Sequence, residues 1–261
     1  MASKKRPRIA HQPKIAPIAQ KVSFPVVGIG ASAGGFEAFG EMLEALPVDT
    51  GMAFVFIQHL DPMHESMLAP LLARKSALPV SQVTNGMAVE PNHVYVIPPN
   101  ARMGIQDGLL KLSQRAAAGE KNMPIDYFFQ SLATYGKEQA IGVILSGTAT
   151  DGTFGLKAIQ AEGGICFAQS EESAKYSGMP ASALAAGCVD FALPPRKIAA
   201  ELARIARHQP SSLLAPVPAA LPRGAYDNIQ RVLVLLRQAL GLISHTTSPA
   251  RSNAVSPGAC Y

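Results

Sequence analysis

Two apolar patterns alternate along this chain. Short unbroken apolar runs are followed by stretches with apolar residues every three or four positions. The first run is Phe24-Pro25-Val26-Val27-Gly28-Ile29-Gly30, and its glycine-bounded form predicts a buried strand. Residues 36–46 then place Phe36, Phe39, Met42, Leu43 and Leu46 at helical spacing. Residues 53–57 repeat the strand pattern and 66–75 the helical one. Residues 93–97 and 109–112 have strand character on either side of a Pro98-Pro99-Asn100 turn. After a Gly/Lys loop at 116–122, Pro124 is a good first residue for a helix reaching Tyr135. Strands at 140–145 and 165–168 and helices at 154–162, 180–186 and 195–208 complete the pattern.

Unbroken apolar strands alternating with amphipathic helices predict an α/β fold. The expected form is a three-layer αβα arrangement with a mostly parallel, doubly wound sheet, spanning residues 22–208. Residues 209–224 are rich in Pro, Ser and Ala and read as a linker. Within 225–261, Ile229, Val232, Leu233, Leu236 and Leu240 predict one more amphipathic helix over 226–240, and the remainder has no periodicity.

The formal charge is +5 over 261 residues. Residues 1–21 hold Lys4, Lys5, Arg6, Arg8, Lys14, Lys21 and no acid, so the rest of the chain carries −1. The basicity belongs to a tail expected to be solvated and disordered, with an acidic partner as the alternative. The remainder has no basic stripe with interleaved aromatics, so no nucleic-acid partner is expected. With no apolar run of membrane length and no signal core, the reading is a cytoplasmic protein without membrane insertion. Cys166, Cys188 and Cys260 are odd in number and lack metal spacing, and His64 and His93 also lack ligand spacing. No metal or cofactor is expected.

Three strand ends carry candidate chemistry. Gly30-Ala31-Ser32-Ala33-Gly34 fits the Gly-x-Ser-x-Gly elbow, where a sharp strand-to-helix turn lifts a nucleophilic serine out of the sheet. The same stretch is a near-miss of a dinucleotide-binding turn: Gly28 and Gly30 fit, but Ala33 stands where the third glycine belongs. The second strand also ends in Gln58-His59 rather than an acid. His59 follows the apolar run at 53–57 and Asp151 the one at 140–145. In a parallel sheet all strand C-termini share one edge, so Ser32, His59 and Asp151 are expected on one rim. A histidine there can accept a serine proton, and an aspartate can hold its tautomer. Asp151 alone also reads as an N-cap for the helix that follows it.

Together these segments resemble the catalytic domain of CheB-type chemotaxis methylesterases. That family carries Gly-Ala-Ser-Thr-Gly-Gly, Gln-His and Leu-Thr-Gly-x-Gly-x-Asp-Gly. Here they stand as Gly30-Ala31-Ser32-Ala33-Gly34-Gly35, Gln58-His59 and Leu145-Ser146-Gly147-Thr148-Ala149-Thr150-Asp151-Gly152. The resemblance covers about residues 24–208, including Pro98-Pro99-Asn100, Ala168-Gln169 and Gly178-Met179-Pro180. It implies Ser32 as nucleophile, His59 as base and Asp151 as the residue orienting His59. It also implies oxyanion donors among the backbone amides near His59 and Thr148. The implied activity is hydrolysis of glutamyl methyl esters on chemoreceptor cytoplasmic helices, with glutamine deamidation beside it. Implied partners are those receptors, a CheR-type methyltransferase or a histidine kinase. A non-catalytic signalling module of the same fold and a dinucleotide-binding oxidoreductase are the competing functions.

Three positions depart from the family pattern: Ala33 for threonine, Ala149 for glycine, and Asp61 between His59-Leu60 and Pro62. They bear on substrate preference. Only 23 residues precede the first strand, so no receiver domain is expected ahead of it. Residues 232–241 resemble the first helix of a CheR-type methyltransferase, as in fusions of the two enzymes. Read two bases later, with permitted codons, the residues from 242 onward continue that family's pattern. The expectation is a fusion truncated by a one-base deletion near codon 242, with an ordinary disordered tail as the alternative.

Overall fold

A computed structural model of the chain describes residues 24–59, 67–114 and 122–208. Its elements run β1 (Val26–Ala31), α1 (Gly35–Ala45), β2 (Ala53–Gln58), α2 (Leu68–Ala73), β3 (Val80–Gln82), β4 (Met87–Ala88) and β5 (His93–Val96). Then come β6 (Ala101–Gln106), β7 (Leu109–Gln114), α3 (Pro124–Gly136), β8 (Ala140–Ile144) and α4 (Thr153–Ala161). β9 (Ile165–Gln169), α5 (Gly178–Ala185), β10 (Phe191–Leu193) and α6 (Pro195–His208) complete the described chain. The basic tail, the linker, the 226–240 helix, Asp61, His64 and Cys260 lie outside the described residues.

Seven strands form one sheet in the order β10-β9-β8-β1-β2-β5-β3. Every neighbouring pair in it is parallel. The chain steps outward from β1 through β2 and β5, then returns to lay β8 on the other side of β1. This is the doubly wound, three-layer architecture that the alternating pattern predicts. The two faces divide the apolar residues cleanly. Val27, Ile29 and Ala31 of β1 pack with α1, α2 and α6 through Phe39, Met42, Leu72 and Leu202. Val26, Val55 and Ile57 pack on the other face with α3, α4 and α5 through Phe128, Phe129, Leu156 and Met179. Burial on both sides is why these strands read as unbroken apolar runs.

Residues 109–112 fall in a strand, β7 (Leu109–Gln114), as their pattern predicts, but outside the main sheet. β7 leaves the main sheet and pairs antiparallel with β6 and β4 in a separate three-stranded sheet, while β5 joins the parallel one. The hairpin between β6 and β7 closes at Asp107-Gly108, with φ of 52° and 76°. Two left-handed residues in a two-residue connection match the right-handed twist of the strands. The Asp-Gly pair was therefore a usable signal for β6. β3, β4 and β10 have two or three residues each, too short to show a period.

Two glycines on β1 set the height of α3. A Cβ on Gly28 would come within 2.9 Å of Phe129 Cε1, and one on Gly30 would overlap Ile125 Cγ2. Both glycines therefore admit helix α3 against the strand. The near-miss dinucleotide turn is accounted for by packing: the Gly28 and Gly30 positions face α3, not a ligand.

Candidate active site

The structure brings Ser32, His59 and Asp151 together at one rim of the sheet. Ser32 is the first residue after β1, His59 the first after β2, and Asp151 is next to last in the loop between β8 and α4. Nδ1 of His59 lies 3.3 Å from Ser32 Oγ, and Nε2 lies 2.8 Å from Asp151 Oδ2. An ionised carboxylate only accepts, so Asp151 selects the Nε2–H tautomer and leaves Nδ1 as an acceptor facing Ser32. The His59 side chain is 27% exposed and that of Asp151 is 0% exposed, so the ring is open to an incoming group while its anchor is dry.

The serine turn is tight. Gly34 adopts φ 73°, the left-handed conformation that needs no Cβ, and α1 begins at the next residue. A Cβ on Gly34 would also meet Ser146 Oγ at 2.7 Å. The turn is tied to the β8–α4 loop by Ser32 N–H donating to Ser146 O at 3.0 Å. Gly147 allows that loop to approach: a Cβ there would overlap Met179 Sδ and sit 3.0 Å from Ser32 Cβ. Met179 N–H donates to Gly147 O, and Gln169 Oε1 accepts the Ser146 amide at 2.9 Å. The Ala168-Gln169 and Gly178-Met179-Pro180 segments thus brace the loop that carries Asp151.

Asp151 caps a helix, but not the one that follows it. Its Oδ2 accepts Ile125 N–H at 3.1 Å and its Oδ1 accepts Asp126 N–H at 2.9 Å. Those amides open α3, whose first residue is Pro124. The positive end of that helix favours the Asp151 carboxylate. Two roles weighed separately from sequence, histidine partner and N-cap, are therefore held by one carboxylate, with the cap moved to α3. The start of α4 is satisfied instead by Asp126, whose Oδ1 accepts Gly155 N–H at 2.7 Å. Burial, and then the charge of Asp151, raise the Asp126 acid above its ordinary value. Sequence reasoning missed Asp126, because an acid in a first helical turn is commonplace.

Ala33 contributes its carbonyl, which accepts from Ser146 Oγ at 2.8 Å. Ala149 is exposed, and the non-glycine residues with positive φ among those described are Asn92, Asn100, Asp107 and Lys137. Its Cβ therefore adds no backbone strain to the loop. Beside His59 a small cleft is lined by Gln58, Ile97, Pro98, Asn100, Asn122 and Pro124, which places the Pro98-Pro99-Asn100 turn against the site. Cys166 and Cys188 are free and buried, and burial raises both thiols. Among the described residues no group of three or more His, Cys, Asp or Glu could hold a metal ion, and no helix is long and apolar enough to cross a membrane.

Comparison with known proteins points to one family. The family model described as CheB methylesterase matches residues 27–202. Over 183 residues the chain is 33% identical to a protein-glutamate methylesterase/protein-glutamine glutaminase of Desulfotalea psychrophila, covering 68% of this chain and 50% of that protein. A protein of the same name, from the group 3 operon of Rhizobium meliloti, is 34% identical over 183 residues, covering 70% and 52%. The chain thus spans about half the length of the curated relatives it matches. The crystal structure of the Thermotoga maritima CheB methylesterase catalytic domain superposes with a TM-score of 0.66 at 31% identity, over 70% of this chain and 100% of that one. On its matched residues, its fold and these similarities, the chain belongs to the CheB methylesterase family.

Proposed function

We propose that the chain is a serine hydrolase that removes methyl esters from glutamate side chains of chemoreceptors, and deamidates glutamines at such sites. Ser32 is the nucleophile, His59 the general base and acid, and Asp151 the residue that orients His59. The observation that carries this reading is the His59 ring spanning 3.3 Å to Ser32 Oγ and 2.8 Å to Asp151 Oδ2.

In the proposed reaction Ser32 Oγ attacks the γ-carbonyl carbon and its proton passes to His59 Nδ1. The tetrahedral oxyanion collapses, and the departing methoxide takes the proton from His59 as methanol. Water then attacks the acyl-enzyme and gives a proton to His59, which passes it to Ser32 Oγ as the bond to the acyl group breaks and glutamate is released. With glutamine, ammonia leaves in place of methanol. Asp151 stabilises the imidazolium formed in each half and keeps the ring in one orientation. The backbone amides near His59 and Thr148 are the candidate oxyanion donors. Of these, His59 N–H also reaches Ala31 O at 3.4 Å, a long bond for an amide.

This reading places the catalytic domain at 22–208, with a basic tail before it, a linker at 209–224 and a separate segment after it. It places the protein in the cytoplasm, acting on methyl-accepting receptor helices. A CheR-type methyltransferase supplies the ester, and a histidine kinase of the same signalling system is the further partner. No nucleic acid, membrane insertion, metal or cofactor enters the scheme.

The test is methanol release from a methylated chemoreceptor fragment by wild type and Ser32→Ala. Release by wild type that vanishes in Ser32→Ala is expected. Absence of release from a folded wild type would favour the non-catalytic signalling module.

A further inference from the structure

Asp126 and Asp151 grip each other's helices. Asp126 lies in the first turn of α3 and is 5% exposed. Its carboxylate accepts the Gly155 amide at 2.7 Å. Gly155 lies in the first turn of α4, four residues after Asp151. In return, the Asp151 carboxylate accepts the amides of Ile125 and Asp126. Each acid thus caps the helix that carries, or follows, the other, and the two sets of bonds close a ring.

The Asp126 carboxylate meets the Gly155 amide through Oδ1. Placing a second carboxylate beside Asp151 also opposes like charges, which a purely structural cap would avoid. Two helix N-termini, α3 and α4, meet at the pair and offset that repulsion.

We infer that Asp126 is a positioning residue for the hydrolysis: by holding the Gly155 amide it fixes the start of α4 against α3, whose own first amides hold Asp151, and through Asp151 it sets the direction of the His59 ring toward Ser32. The inference rests on the Ser32, His59 and Asp151 reading above.

The variant is Asp126→Ala, which removes the acceptor of the Gly155 amide. Two rates are read beside the melting curve. One is methanol release from the methylated receptor fragment, resolved into kcat and KM. The other is phosphonylation of Ser32 by a fluorophosphonate, in which the Oγ–P bond forms, fluoride leaves and the proton passes to His59. The second needs no receptor. The expected result is a folded variant with KM within about twofold of wild type. Its kcat and its labelling rate fall together by about 10- to 100-fold, the scale of a misplacement on the order of 1 Å. The low-field proton resonance of the His59–Asp151 hydrogen bond should move or vanish in the variant.

A folded variant with wild-type kcat and labelling rate would leave Asp126 a helix cap only and overturn the inference. If Asp126→Ala does not fold, Asp126→Ser, a short capping residue, is read in the same way. Failure of both to fold would make Asp126 a stability residue and also overturn it. Wild type that labels but releases no methanol counts against the proposed substrate and leaves the labelling comparison to judge Asp126. Wild type that does neither removes both readings.

Discussion

Ser146 Oγ donates a 2.8 Å hydrogen bond to the carbonyl of Ala33, one residue past the proposed nucleophile. The same oxygen accepts the Tyr176 amide at 3.0 Å. Ser146 is fully buried, and its hydroxyl joins three chain segments: the β1–α1 turn, the β8–α4 loop and the loop before α5.

Ser146→Ala should therefore destabilise the protein and weaken it as a catalyst. The Tyr176 amide and the Ala33 carbonyl would lose a partner, at about 1–3 kcal/mol. The turn that presents Ser32 would loosen with them. Urea unfolding and methanol release on the same preparation check this. An unchanged midpoint with an unchanged rate would show that the hydroxyl holds nothing.

Gly30→Ala should disturb the site from beneath. The new Cβ would overlap Ile125 Cγ2 and sit 3.1 Å from Ile144 Cδ1. Overpacking of this kind costs about 1–3 kcal/mol. Ile125 also donates its amide to Asp151, so kcat should fall along with the melting temperature. Gly51→Ala is the control. Gly51 has φ 68° with nothing within 4 Å of its missing Cβ, so it should lose about 1–2 kcal/mol to backbone strain alone and keep its activity. Equal activity loss in both variants would contradict the route through Ile125.

The acid side of the stability curve should carry a signature of Asp126. Burial raises its acid above 3.8, assisted by the Asp151 charge. Between those two values the folded chain binds more protons than the unfolded one, so stability falls as pH rises. The contribution of Asp126 is thus fully present below 3.8 and lost as pH climbs through the raised value. The unfolding free energy of wild type minus that of Asp126→Asn should be largest near about pH 3 and shrink towards neutrality. Urea titrations across that range measure it, and a gap that is flat or grows with pH would be contrary.

Much of this protein is legible in local patterns. Residues 53–57 are apolar at every position because β2 is covered on both faces, and that alone marks an α/β sheet. Ser32, His59 and Asp151 each follow an apolar run, and parallel strands bring such positions to one edge whatever the details of packing. The Gly28 and Gly30 spacing misled because a glycine that admits a helix and a glycine that admits a phosphate look alike in one dimension. Only the tertiary structure decided which helix Asp151 caps, since Ile125 and Asp126 lie 26 and 25 residues before it. Its histidine partner is 92 residues before it, and the tautomer of His59 follows from that single contact. Asp126 stayed hidden for the same reason. Its meaning lies in an amide of another helix, and backbone donors carry no residue type for a sequence to display.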